Sequence, residues 1–504
     1  MTYFIGIDIG GTVIKSGLYN ERGQEKAVAS ETDPAVVAHV GWCERDMIAM
    51  WRTVCITIRR VLAESGISAH DVAGISFSAH GKGLYAVDAD GRPVRNGIIS
   101  SDNRALGQVR AWKAAGVDAA AYPVGYQQLW SGHPVSLLAW MKANEPQAYR
   151  NTRHVLMAHD WIRYKLTGAF AAEITNISGS NLYNVETGAY DPALFRLFGI
   201  DEMIGCMPPV IDSQESIAGV GRRAAEETGL VEGTPVFGGF FDVVSAAVCA
   251  GLSGPDHINI VMGTWTIVTW IADQIRKADH PYIWGRYCIP DKYFVHEGSP
   301  TSAGNLEWFV RTFMAECPDP FDRCNRLVSG LPKAATELQF LPYLFSSNLG
   351  DNLAANLWGL ANAHGLDHIL QAIYEGICFS QHVHLERILA LAGRHGKTLR
   401  LTGGPTHSPV WMQMVADVSE LPVEVMHVEQ SGCLGAAIAA AVGSGAHASF
   451  ADAMATMCPV GSLIEPDPTI APRYREKYAT FRSLAATLDA MPVAGRDSRS
   501  EEAA

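Results

Sequence analysis

Two carboxylates and two threonine-bearing turns carry most of the chemistry open to this sequence. Residues 4–19, Phe-Ile-Gly-Ile-Asp-Ile-Gly-Gly-Thr-Val-Ile-Lys-Ser-Gly-Leu-Tyr, read as a strand, a Gly-Gly-Thr turn and a second strand. Residues 258–270, Ile-Asn-Ile-Val-Met-Gly-Thr-Trp-Thr-Ile-Val-Thr-Trp, repeat the phrase half a chain later. Such turns point backbone N–H groups and a hydroxyl outward, which suits phosphate oxygens. Gly11, Thr12, Gly263 and Thr264 are therefore candidate phosphate contacts. Only the first copy carries a carboxylate, Asp8, in its leading strand, so the copies are alike in shape and unlike in chemistry. Two such hairpins on related domains can grip one polyphosphate from both sides. That points to an ATP-using enzyme with its site in the cleft between domains.

Asp242 is the second carboxylate. It follows Gly238-Gly239-Phe240-Phe241 and opens a small-residue helix, so it reads equally as a helix cap or as a general base at a strand end. The glycines before it would let a substrate come close to the backbone. A third element, Thr402-Gly403-Gly404, joins a strand to a helix, and a turn without Cβ atoms can lie flat against an adenine or ribose. Ser408 is a natural cap for the helix that follows. Residues 393–398 end like a phosphate-binding P-loop. There Leu391 stands where the first glycine belongs, and the helix-then-strand order is the reverse of what that motif needs.

The elements that must hold these residues alternate between strand and helix. Strands are expected at 4–9, 13–19, 72–78 and 236–241, with a helix over 45–65 whose Met47, Met50, Trp51, Val54 and Ile58 form an apolar stripe. The second half restarts at Ile258, with a strand at 398–402 and helices at 410–418 and 435–442 completing its core. A chain of 504 residues is too long for one core and should divide into domains at 1–250 and 251–490, with a disordered tail at 491–504. The net charge of −13 comes with no Lys/Arg-rich run, which argues against nucleic acid or an anionic membrane as partner. The ten cysteines have no metal-binding or C-x-x-C spacing, which suits reduced thiols in a cytoplasmic protein. The apolar run at 236–252 holds Asp242 and falls short of the ~18 uncharged residues of a membrane span.

Five motifs occur in order: Asp8-x-Gly10-Gly11-Thr12 with Lys15; Gly-Gly-x-x-Asp at 238–242; Met262-Gly263-Thr264; Gly-Gly-x-x-x-Ser-x-x-Trp-x-Gln-x-x-Ala-Asp at 403–417; and Gly432-Cys433-Leu434-Gly435-Ala436-Ala437. Together they resemble the FGGY family of carbohydrate kinases over nearly the whole chain. The resemblance implies an α/β fold of two ribonuclease-H-like domains of the actin-like ATPase type around a central interdomain cleft. Sugar is then expected on the N-terminal domain and ATP mainly on the C-terminal one. Within the family, residues 41–47, Ala79-His80-Gly81-Lys82-Gly83, residues 130–138, His159-Asp160 and residues 176–184 are most similar to the branch acting on L-xylulose. Ser100 stands where the glycerol-using branch carries a tryptophan, and Ser346-Ser347-Asn348 replaces a common Gly-Glu-Arg.

The resemblance implies phosphorylation of a ketopentose at its terminal hydroxyl. Asp242 would be the base. Asp8 would hold Mg²⁺ through waters, and Lys15 would join the phosphate-binding group. Gly403, Gly404 and Ser408 would line the adenosine pocket, while His80, Lys82, Asp102 and His159 would meet the sugar. The partners are then a sugar and ATP, with a homodimer as an open alternative for assembly. The competing readings are a kinase for another ketose or polyol (D-xylulose, a keto-hexonate, glycerol), an actin-like ATPase with a regulatory role, and a sugar sensor.

Overall fold

The structure, a computed structural model, describes residues 2–263, 265–394 and 397–491. Thr264, the P-loop-like residues His395 and Gly396, and nearly all of the expected tail lie outside them. Strand Tyr3–Ile9 is the middle of the first sheet. It is apolar along its length apart from Gly6 and Asp8, as expected of a strand covered on both faces. It pairs antiparallel with Val13–Asn20, which pairs antiparallel with Glu25–Thr32. On its other side it runs parallel to Val72–Ala79, and that strand runs parallel to Pro235–Phe237.

The second half repeats this order. His257–Met262 pairs antiparallel with Thr266–Ala272, and that strand with Tyr293–Ser299. On the other side lie Thr398–Thr402 and Val423–Met426, both parallel. The duplication seen in the two hairpin phrases thus extends to whole sheets, three antiparallel strands followed by two parallel ones. In each half a long helix crosses over from the third strand to the fourth: Met47–Ser65, capped by Asp46 and ended by left-handed Gly66, and Leu366–Ala392. The halves differ most after the fourth strand. The first inserts residues 80–234 there, with a core of its own around Leu84, Val109, Leu138 and Phe195.

Helix Ser431–Gly443 departs from the sequence expectation, which assigned it to the second core. It packs on strands Tyr3–Ile9 and Val72–Ala79 of the first sheet and beside helix Asp242–Cys249. Its residues are small and apolar on every face, the composition of a helix enclosed on all sides. One buried cluster joins the halves through it, combining Phe4 and Tyr19, Ile271 and Phe294, with Val248 and Ala437 between them. Among the described residues no helix is long and apolar enough to cross a membrane.

Candidate active site

A cavity of about 470 Å³ is lined by Gly11, His80, Lys82, Ser100, Asp242, Trp265 and His296, among others. Gly11 comes from the first hairpin turn and Trp265 from the second, so both copies of the repeated phrase face one space. Asp242 is the first residue of its helix; the cap position belongs to Phe241, and no side chain caps there. The helix-cap reading of Asp242 is therefore not realised. Gly238 and Gly239 also serve another purpose than the one expected of them. A Cβ on Gly238 would lie 2.5 Å from the Asp212 carbonyl oxygen, and one on Gly239, at φ +93°, 2.5 Å from that of Phe77. They let the chain pass its neighbours closely and turn into the helix.

Asp242 is exposed toward the cavity while protein surrounds it elsewhere. That enclosure, and secondarily the charge of Asp8, pushes its carboxyl up to about 7, against the Val243 N–H and Lys82. Water at its open face tempers the repulsion. Asp8 is likewise raised by burial, opposed by Lys15, its partner across the hairpin, and by a hydrogen bond from Ser78. Burial lowers Lys82 to about 8, with Asp242 opposing the shift. His80 is pushed down to about 4 by burial, with Arg45 adding to it, so the ring is neutral near pH 7. Its Nε2 lies 3.0 Å from the Tyr85 hydroxyl.

Asp102 and His159 do not reach the cavity. Both are fully buried. The two oxygens of Asp102 accept from Arg104 Nε at 2.9 Å and Nη2 at 2.8 Å, and from the N–H groups of Cys43 and Arg104 at 2.6 and 2.9 Å. Its role is to hold the loop beside Ser100, since its lone pairs are taken. His159 stands one layer behind His80, 3.4 Å from Asn176 Nδ2, lowered to about 4 by burial. Sequence reasoning missed Asn176 as a site residue. Its Oδ1 accepts the Lys82 N–H at 3.0 Å, and its Nδ2 donates to the His80 carbonyl at 3.4 Å. Asn176 thereby secures Lys82 in a left-handed conformation, φ 64°, that lysine rarely adopts. Trp265 was legible as the residue after Thr264 in the repeat; His296 carried no sequence signal.

The phosphate turns differ in detail. The first closes with Gly10 N–H donating to the Val13 carbonyl at 3.1 Å, the second with Gly263 N–H donating to that of Trp265 at 3.0 Å. The register makes the second turn one residue shorter. Gly11 and Thr12 are exposed at the tip. Gly403 has φ +108°, and a Cβ on it would stand 2.2 Å from the Met262 carbonyl oxygen, so the Gly-Gly turn lies against the strand feeding the second hairpin. Gly404 faces open space. Ser408 caps Pro409–Ser419, accepting from Trp411 N at 3.3 Å and donating to Asn325 Oδ1 at 2.7 Å. Its hydroxyl is committed to the fold rather than free for adenosine.

This chain belongs to the FGGY family of carbohydrate kinases: the family's N-terminal domain matches residues 3–249 and its C-terminal domain residues 258–444. It is an ATP-dependent sugar kinase with the two-domain actin-like fold. An L-xylulose/3-keto-L-gulonate kinase of Escherichia coli K12 is 45% identical over 489 residues, 96% of this chain and 97% of that protein. A probable L-xylulose kinase of Pasteurella multocida is 41% identical over 97% of this chain and 100% of that one. Ligand-bound xylulose kinase from Lactobacillus acidophilus superposes with a TM-score of 0.90 at 22% identity, covering 97% of this chain and 99% of that structure.

Proposed function

We propose that the enzyme transfers the γ-phosphoryl group of ATP to the terminal hydroxyl of a ketopentose, L-xylulose, giving the 5-phosphate and ADP. One observation carries the reading: Asp242 stands uncapped at a helix start and faces the cavity that Gly11, Lys82 and Trp265 share. The sugar oxygen forms a bond to the γ-phosphorus as the bond to the ADP oxygen breaks, and Asp242 takes the hydroxyl proton. Its raised affinity for protons suits a base working near neutrality. Gly11 and Thr12, exposed at the first tip, present backbone N–H groups to the phosphates. The N–H of Gly263 is taken by the Trp265 carbonyl, so the second turn would act through the expected hydroxyl of Thr264. Gly403 and Gly404 offer adenosine a flat surface. His80 and Lys82 are positioned to meet sugar hydroxyls or the ketone.

Mg²⁺ fits the donor set, because Asp8 is a hard oxygen ligand behind the first phosphate turn whose charge Lys15 and Ser78 offset in part. When bound it would supply charge neutralisation at the phosphates. The unpaired cysteines agree with a reducing, cytoplasmic setting.

Ser100 lines the cavity, so the position that differs from the glycerol-using branch is on the substrate wall. A site built to pair hydroxyls rejects a ligand that lacks them. Across a panel of ketoses and glycerol in a coupled ADP assay, kcat/KM for L-xylulose should exceed that for glycerol by at least ~10²-fold. Equal turnover of glycerol would remove the ketopentose assignment. ADP formed at the same rate without sugar would favour the ATPase reading instead.

A further inference from the structure

The Asp8 face of strand Tyr3–Ile9 is covered by a backbone from the other end of the chain. Gly6 and Asp8 point to the same side of the strand. A Cβ on Gly6 would fall 1.8 Å from the Cys433 carbonyl oxygen, and a Cβ on Gly432 would fall 2.2 Å from the Asp8 carboxyl carbon. Two glycines, one from each partner, thus interlock helix Ser431–Gly443 with the strand. The same helix start touches the element bearing Asp242. Ser245 Oγ donates to the Ser431 carbonyl at 3.0 Å, and a Cβ on Gly435 would fall 2.1 Å from Ser245 Oγ. The residue before the helix, Gln430, accepts a hydrogen bond from Lys15 Nζ at 3.0 Å. Lys15 is the cation opposite Asp8 across the hairpin.

We infer that Gln430 and Gly432 are positioning residues for the Asp8–Lys15 pair. Gln430 fixes the lysine, and Gly432 leaves room for the carboxylate directly under the helix start. The segment also spaces the strand of Asp8 from the helix of Asp242, so one short stretch after the Gly403–Gly404 turn sets the separation of both carboxylates. This rests on the proposed role of Asp8 toward Mg²⁺. A helix that merely packed on the sheet would need Gly432 but would make no demand on Gln430, which is half-buried at the helix edge.

The test is calorimetry of ADP binding with and without Mg²⁺, and of sugar binding, for Gln430→Met, Gly432→Ala and Asp8→Asn, alongside melting temperatures. Gln430→Met keeps the size and loses the acceptor. It should weaken ADP binding about 10-fold in the presence of Mg²⁺, the scale of a lost hydrogen bond to a charge. Its sugar affinity and melting temperature should stay as in the parent. Gly432→Ala should show the larger loss, with a lower melting temperature. If Gln430→Met binds ADP and Mg²⁺ as the parent does while Asp8→Asn does not, the positioning role is overturned and the reading of Asp8 survives. If Asp8→Asn also binds them normally, both fail.

Discussion

The Asp242→Asn enzyme should bind sugar and nucleotide nearly as the parent does and turn over ~10²–10⁴-fold more slowly, the usual worth of a general base. Asparagine preserves the shape of the side chain and the helix start, where Phe241 rather than Asp242 holds the cap position. What it removes is the proton acceptor. The parent's kcat/KM should fall as pH drops below about 7, because enclosure and the charge of Asp8 raise the carboxyl to about 7 and a protonated base cannot accept. Stability should move the opposite way. The folded-state value lies above the ordinary 3.8, so the folded protein holds this proton more tightly than the unfolded chain. Ionised Asp242 therefore destabilises the fold above pH 7, and the penalty fades as pH falls toward 4. Asp242→Asn should accordingly melt at a higher temperature than the parent at pH 8, with the gap closing toward pH 4. Steady-state rates and melting curves across that range would decide. Near-normal kcat in the variant would remove Asp242 as the base.

The contrast between what was and was not legible in the sequence follows from the range of the forces involved. The strand–turn–strand phrases are local, and their repetition correctly announced two sheets of one design. Asp102 looked available because a sequence does not show that Arg104, two residues on, folds back to fill its oxygens. Ser408 showed its capping geometry plainly, whereas the engagement of its hydroxyl by Asn325, far away in sequence, did not show. Helix Ser431–Gly443 could be read as buried from its all-round small residues, but an apolar helix does not name its sheet. The answer lay at Gly6, whose bare backbone makes sense only with the helix in place. Asn176 is a similar case. It stands in the short helix Ile174–Ile177 and serves Lys82 and His80 through contacts of long sequence separation. The run at 176–184 resembles the L-xylulose branch, but a resemblance does not show which groups a side chain holds.

The two carboxylates should fail in different ways when each is neutralised. Asp8→Asn should reduce kcat/KM for ATP by about 10²-fold at ordinary Mg²⁺, the scale of one strong charge-assisted contact. Part of that loss should return as Mg²⁺ is raised, since a weakened site fills at higher concentration. The loss in Asp242→Asn should not return, because no metal concentration restores a proton acceptor. Burial raises Asp8 above its ordinary value, and Lys15 and Ser78 oppose that shift. Replacing it leaves Lys15 facing an amide, with the Gln430 oxygen still accepting from it. The nucleotide end of the cleft would then carry an unbalanced positive charge. Free ADP without Mg²⁺ should accordingly bind the variant at least as well as it binds the parent, while ADP with Mg²⁺ binds worse. Titrations of Mg²⁺ at fixed ATP, beside calorimetry with both forms of ADP, would show this inversion. A variant whose Mg²⁺ dependence matches that of the parent would place the metal away from Asp8 and leave that carboxylate as a means of raising Asp242.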